Sequence, residues 1–273
     1  MLVTLKEIIN ELGENQAVPA FNVYGYEDAK VVLDAASSLR APAVLMTNRD
    51  AVMHMGSRNL CNLLKSISED YSIPICIHLD HAKSMGEIEE AIKSGYTSVM
   101  YDGSSLPLEK NISNTLDVID FAKNYNVSVE AEIGSVGYSD PNMGSKGKYT
   151  ELLEAKEFYD KTKVDFLAVA VGTLHRMTGQ EAIINYELLT DIEKELDVPL
   201  VIHGSTGVKD HDLTKLSHTG VKKVNIGTAV RMTFGNSLKS QFETDEFDRI
   251  KLFKKPMKDI ERVILKKYRL LGF

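Results

Sequence analysis

Residues 75–84, ICIHLDHAKS, begin as an apolar, β-branched run that reads as a buried strand, yet they carry His78, Asp80 and His81. Ionisable groups at the end of a buried strand cost stability unless they are paired or put to use. Either the polar residues mark the exit from an interior sheet, or they face a site to which other strands contribute. The rest of the chain decides between the two.

Short apolar runs of the same kind recur along the sequence. With IPICIHLD (73–80) as the third, they are VPAFNV (18–23), PAVLMT (42–47), SVMYDG (98–103), VSVEAEIG (127–134), DFLAVAVG (165–172), VPLVIHG (198–204) and KKVNIGT (222–228). Amphipathic segments such as SMGEIEEAIKSG and NISNTLDVIDFAKNYN fill the gaps, the first closing on Gly95 as a helix C-cap. Strand and helix alternate eight times with no linker, low-complexity tract or short repeat, which predicts an α/β fold, a closed parallel (β/α)8 TIM barrel, as one domain over residues 1–273. A length of 273 suits a fold that typically runs to ~250 residues. The first strand is not followed by a dinucleotide-type glycine fingerprint, which argues against an open doubly wound sheet. The basic segment KLFKKPMKDIERVILKKYRL repeats its apolar residues at helical spacing and predicts a solvated amphipathic helix as a C-terminal extension.

Composition narrows the partners. A net charge of −7 gives no overall positive field, so neither nucleic acid nor an acidic membrane surface is expected. Cys61 and Cys76 stand in no metal or redox spacing. Without a secretory signal or an apolar run long enough to span a bilayer, a cytoplasmic location is expected.

Chemistry in such barrels gathers where the strands end. Here those positions hold Asn22, Asn48, Asp80 with His81, Asp102, Glu132, His175, His203 and Asn225. One such residue would mean little; a full ring of them predicts a shared site at the barrel mouth. His81, His175 and His203 follow strands three, six and seven, and three neutral imidazoles suit a catalytic Zn²⁺ with a position left open for substrate. His54, His211 and His218 read as surface residues. His78 is expected to point into the barrel and position Asp80. After strands seven and eight, HGSTGV and NIGTAV place Gly204, Gly207 and Gly227 where backbone can approach a ligand, with hydroxyls from Ser205, Thr206 and Thr228. That pattern predicts a phosphate site.

The blocks PAFNV, HLDHA, GYTSVMYDGS, VEAEIG, LAVAVGTLH, LVIHGSTGV and VNIGT resemble, in order, those of the class II, metal-dependent ketose-bisphosphate aldolases, from about residue 5 to the end. The family includes fructose- and tagatose-bisphosphate enzymes. The resemblance implies zinc-dependent retro-aldol cleavage of a phosphorylated ketose to dihydroxyacetone phosphate and an aldehyde. It places one Zn²⁺ on His81, His175 and His203, and makes Asp80 the base for the C4 hydroxyl. It also makes Asp140, on a loop, the acid that exchanges the C3 proton, and puts an alternative metal position at Asp102 and Glu132. Gly204, Thr206 and Thr228 should meet the phosphate, while Asn225 and Asn22 belong with the substrate-binding residues. A monovalent cation as a second ion, and a homodimer or homotetramer, are further expectations. A Schiff-base route would need a buried lysine on a strand; Lys83, just past strand three, reads instead as a helix-start residue.

The sequence departs from the family pattern in several places. Arg176 stands where the family has glycine after its second metal histidine, and the turn after strand two carries Asn48, Arg49 and Asp50 in place of a serine and a glycine turn. Ser205 replaces a second glycine, and Tyr138 and Ser139 precede an aspartate where a glutamate is usual. Asn48, Arg49 and Arg176 are therefore specificity candidates, and fructose 1,6-bisphosphate is not expected to be the best substrate. Two other readings stay open at this point. One is a metal-dependent hydrolase or isomerase acting on a sugar phosphate; the other is a catalytically retired sugar-phosphate-binding paralogue.

Overall fold

The computed structural model describes residues 1–140, 142 and 147–273. Eight strands close into a parallel barrel in sequence order: β1 (Val18–Asn22), β2 (Ala43–Thr47), β3 (Ile75–Ala82), β4 (Ser98–Tyr101), β5 (Ser128–Ile133), β6 (Phe166–Val169), β7 (Leu200–Ile202) and β8 (Val221–Ile226). β8 returns to β1 with Asn225 beside Ala20. Helices α1 (Leu5–Asn10), α2 (Tyr26–Leu39), α3 (Arg49–Met55), α4 (Ser57–Ser68), α5 (Met85–Ser94), α6 (Leu108–Ala122), α7 (Leu152–Thr162), α8 (Tyr186–Glu195), α9 (Asp210–Leu216), α10 (Thr228–Gln241) and α11 (Arg249–Leu270) complete the chain among the described residues.

Local chemistry explains the boundaries. Ser84 and Glu87 form a reciprocal capping box at the start of α5, and Gly95 ends it with a φ of 103°. α11 buries Ile260, Ile264 and Tyr268 and turns most of its lysines outward, as its apolar spacing predicts. Among the described residues no helix is long and apolar enough to cross a membrane. Cys61 and Cys76 are free and buried.

Alternation along the strands divides the core in two. Phe21, Leu45, Ile77, Val99, Ala131 and Leu167 point outward into the layer shared with the helices. Val18, Val44, Cys76, Met100, Phe166 and Val201 point inward, and α1 seals that lower end with Leu5 and Ile8. The barrel interior also holds a wholly buried polar layer of His78, Ser98, Glu130 and Lys223. His78 differs from expectation here. Its ring nitrogens face Ser98 Oγ at 2.8 Å and Lys223 Nζ at 3.4 Å, so its hydrogen bonds leave Asp80 alone.

Candidate active site

The backbone answers the question raised by Asp80 and His81. Strict alternation would send one inward and the other out. His81 instead adopts a left-handed φ of 57°, and the β3–β4 register slips between Leu79 and Ala82. This bulge turns two consecutive side chains toward the barrel mouth. A non-glycine residue in that conformation carries strain, which is typical of functional positions. β6 ends at Val169, earlier than expected, so His175 stands on a loop. That loop is tied to the β5–α7 connection: His175 N donates to Gly137 O at 2.7 Å, and Ser139 N donates to His175 O at 2.9 Å.

One ring nitrogen from each of His81, His175 and His203 lies within 4.8 Å of the others, a group that could hold a metal ion. His81 Nε2 faces His203 Nδ1 at 2.8 Å, while His81 Nδ1 meets Asp102 Oδ2 at 3.0 Å and His203 Nε2 meets Glu130 Oε1 at 2.8 Å. Two imidazole lone pairs that close need a proton or a cation between them. The other nitrogen of each ring is already engaged by a carboxylate, an arrangement common around metal-bound histidine. His81 also belongs to a second group with Asp102 and Glu132, the expected alternative position. Glu132 is buried, its Oε1 accepts from Val136 N at 3.0 Å, and its Oε2 has no hydrogen-bond partner among the described residues. The donor set fits a borderline cation such as Zn²⁺.

The electrostatics follow from burial and neighbours. Burial opposes ionisation of Asp80, but His81, His203 and Lys223 outweigh it and bring the carboxyl down to about 2. Asp80 is thus a carboxylate, held by Asn22 Nδ2 at 3.0 Å and Asn225 Nδ2 at 3.2 Å. Burial also opposes the cationic form of His81, yet Asp80 and Asp102 push it up to about 9. Burial, together with Asp102, raises Glu132 to about 8. His175 is held well below the ordinary imidazole value by burial and by the other two rings.

These groups line a cavity of about 660 Å³. Its wall toward β7 and β8 includes Gly204, Ser205, Thr206, Gly227 and Thr228, at the N-terminus of α10. Thr206 Oγ1 accepts from Ala229 N at 3.0 Å, joining the two loops. Gly204 has a φ of 66°, and a Cβ there would come within 2.6 Å of Leu174 O. Gly207 departs from expectation. It packs under Met177, whose Sδ would lie 2.2 Å from an added Cβ, and it does not line the cavity. Asp140 also stands apart: it is exposed and lines an adjoining recess with Ser139, Arg176, Thr178, Thr228 and Arg231. Most of its loop (141 and 143–146) lies outside the described residues.

After β2, Asn48 caps α3 through Ala51 N at 3.0 Å, and Arg49 reaches Glu87 at 3.4 Å. Arg176, with a φ of 59°, extends across the mouth to Asp50 at 3.7 Å, linking the loops after β6 and β2.

A model of the class-II fructose-bisphosphate aldolase family matches residues 3–273. The chain belongs to this family. The YdjI aldolase from Escherichia coli K12 is 27% identical and superposes with a TM-score of 0.87 over 100% of this chain and 98% of that one. A fructose-bisphosphate aldolase from Campylobacter jejuni, at 19% identity, shares the fold with a TM-score of 0.85 over 99% of this chain and 95% of its own. Within this aldolase fold, the sequence reading missed several residues at or beneath the site. Arg231 lines the cavity with its Nε buried and unpartnered among the described residues, and its spacing of three from Thr228 on α10 was the available signal. Lys83 caps Asp102, and Ser104 Oγ donates to Asp102 Oδ1 at 2.6 Å. Lys223 is a buried lysine on a strand, the residue type that a Schiff-base route would need. It lies outside the cavity wall, bound to Glu130 at 2.7 Å, and so is not presented to a carbonyl substrate.

Proposed function

We propose that this chain is a zinc-dependent aldolase that cleaves a phosphorylated ketose into dihydroxyacetone phosphate and an aldehyde. One observation carries the reading: three imidazoles converge beside the Asp80 carboxylate, 3.9 Å from His81 Nε2, in a cavity whose other wall is the α10 N-terminus. When bound by His81, His175 and His203, Zn²⁺ supplies an electron sink for the ketose carbonyl. Asp80 takes the C4 hydroxyl proton, with the amides of Asn22 and Asn225 fixing its two oxygens. Asn225 Oδ1, buried and unpartnered among the described residues, is free to accept a hydrogen bond from a substrate hydroxyl. Backbone at Gly204 and Gly227, the hydroxyls of Thr206 and Thr228, and the Arg231 guanidinium form the phosphate cradle. Asp140 exchanges the C3 proton from the recess it shares with Arg176 and Thr228.

Arg49 and Arg176 change the wall over the aldehyde half, which favours a different phosphorylated ketose or an acid sugar phosphate over fructose 1,6-bisphosphate. A cytoplasmic homo-oligomer completes the reading; the exposed Phe247, just before α11, and Ile250, in its first turn, support a second copy. A hydrolase or isomerase would not require this carboxylate beside the imidazoles together with a two-loop phosphate wall. Asp80→Asn tests the assignment. With zinc content verified, cleavage should fall by ~10²–10⁴. Near-normal cleavage in that variant would remove Asp80 as the base.

A further inference from the structure

Beneath the mouth, the buried layer forms an ordered chain of hydrogen bonds. Ser98, His78, Lys223, Glu130 and His203 follow one another across β4, β3, β8, β5 and the end of β7, and all five are 0% exposed. Lysine has three donors and no acceptor, which sets the direction of the whole chain. Facing Lys223 Nζ at 3.4 Å, His78 Nε2 must accept, so His78 Nδ1 carries the proton and donates to Ser98 Oγ at 2.8 Å. Lys223 donates to Glu130 Oε2 at 2.7 Å. Glu130 Oε1 then lies 2.8 Å from His203 Nε2. The other group near Nε2 is Asn225 Nδ2 at 3.3 Å, an amide donor that also serves Asp80. Only the carboxylate can accept the imidazole proton.

We infer that Glu130 and Lys223 are positioning residues for metal binding: Glu130 holds His203 in the Nε2–H form, so that the Nδ1 lone pair points toward His81 and His175, and Lys223 holds Glu130. This rests on the reading of His203 as a zinc ligand. A neutral imidazole offers one lone pair, and the hydrogen bond at its other nitrogen selects which. A carboxylate placed by a fully buried ion pair cannot swing away as an exposed one could. The pair is therefore built into the barrel interior, where it would otherwise be a costly feature.

The first test needs no variant and no metal. Long-range ¹⁵N–¹H correlation spectra of the metal-free protein, with the His203 signals assigned by their loss in His203→Gln, should show the proton on Nε2. A proton on Nδ1 would overturn the proposal. The second test compares Glu130→Leu/Lys223→Met, which replaces the whole pair with apolar side chains, and Glu130→Gln/Lys223→Met, which restores an acceptor. Zinc affinity, measured by competition with a chelating dye, should fall ~10–100-fold in the first and recover substantially in the second. Equal affinity in all three proteins would overturn it, as would equal loss in both variants. If the wild-type protein binds no zinc while His203 carries its proton on Nε2, the functional reading fails but the tautomer assignment stands.

Discussion

Two polar layers lie one above the other in this barrel and differ in how they are completed. The lower layer, His78, Ser98, Glu130 and Lys223, is sealed from solvent and each member has a partner. The upper layer, nearer the mouth, holds Asp80, Asp102, Glu132 and Asn225 and leaves polar atoms unmatched among the described residues, Glu132 Oε2 and Asn225 Oδ1 among them. Buried polar atoms without partners are expensive, and a native structure keeps them where a ligand supplies the missing bond. Full pairing below and unmatched polar atoms above separate support from chemistry.

Substitutions should break the two layers differently. The largest effect is expected at the mouth: His203→Ala should lose both zinc and turnover, with circular dichroism unchanged because His203 follows the end of β7 and lines the cavity. In the lower layer the effect is on folding. Glu130→Leu alone strands a buried ammonium and should cost ~3–5 kcal/mol in urea unfolding, whereas Glu130→Leu/Lys223→Met should recover most of that loss. A double variant no more stable than the single would mean that the pair is not a unit.

The lower layer should also respond to acid. Burial opposes the charge on Glu130, but Lys223, followed by His203 and His78, holds its carboxyl well below the ordinary value. A depressed carboxyl stabilises the fold above its unfolded value of 4.5 and loses that contribution as pH falls toward the folded one. The wild-type protein should therefore lose stability below about pH 4.5 more steeply than Glu130→Gln/Lys223→Met. Parallel curves would remove Glu130 as a source of acid sensitivity. The smallest effect is a change in preference. Arg176→Gly should lower kcat/KM for the best phosphorylated ketose more than for fructose 1,6-bisphosphate, by ~10-fold for a lost charge-assisted contact. Equal losses would reduce Arg176 to its ion pair with Asp50.

The barrel was legible because each strand is a short β-branched run and the polar residues recur at the strand ends, a pattern that topology converts into a ring. The lower layer was legible in principle. Glu130 and Glu132 in VSVEAEIG, and Lys223 and Asn225 in KKVNIGT, stand two apart and so share the inward face. Glu132 and Asn225 stand out as strand ends, whereas Glu130 and Lys223, one inward position deeper, do not, and with them went the partners of His78. Other features lay beyond reach. The bulge at His81 is a backbone conformation that the residue type does not announce. The contact of Gly207 with Met177 and the span from Arg176 to Asp50 join loops far apart in sequence. Asp140 was placed by counting along a loop, and counting does not say which recess a loop faces.

The most direct measurement is formation of dihydroxyacetone phosphate, coupled to its reduction by an auxiliary dehydrogenase. Zinc-loaded, chelator-stripped and zinc-restored protein would be offered a panel of phosphorylated ketoses and acid sugar phosphates. Release of dihydroxyacetone phosphate from at least one of them is expected, lost on stripping and recovered on zinc addition. Release at full rate by the stripped protein, or none from any substrate by protein carrying one zinc per chain, would contradict it.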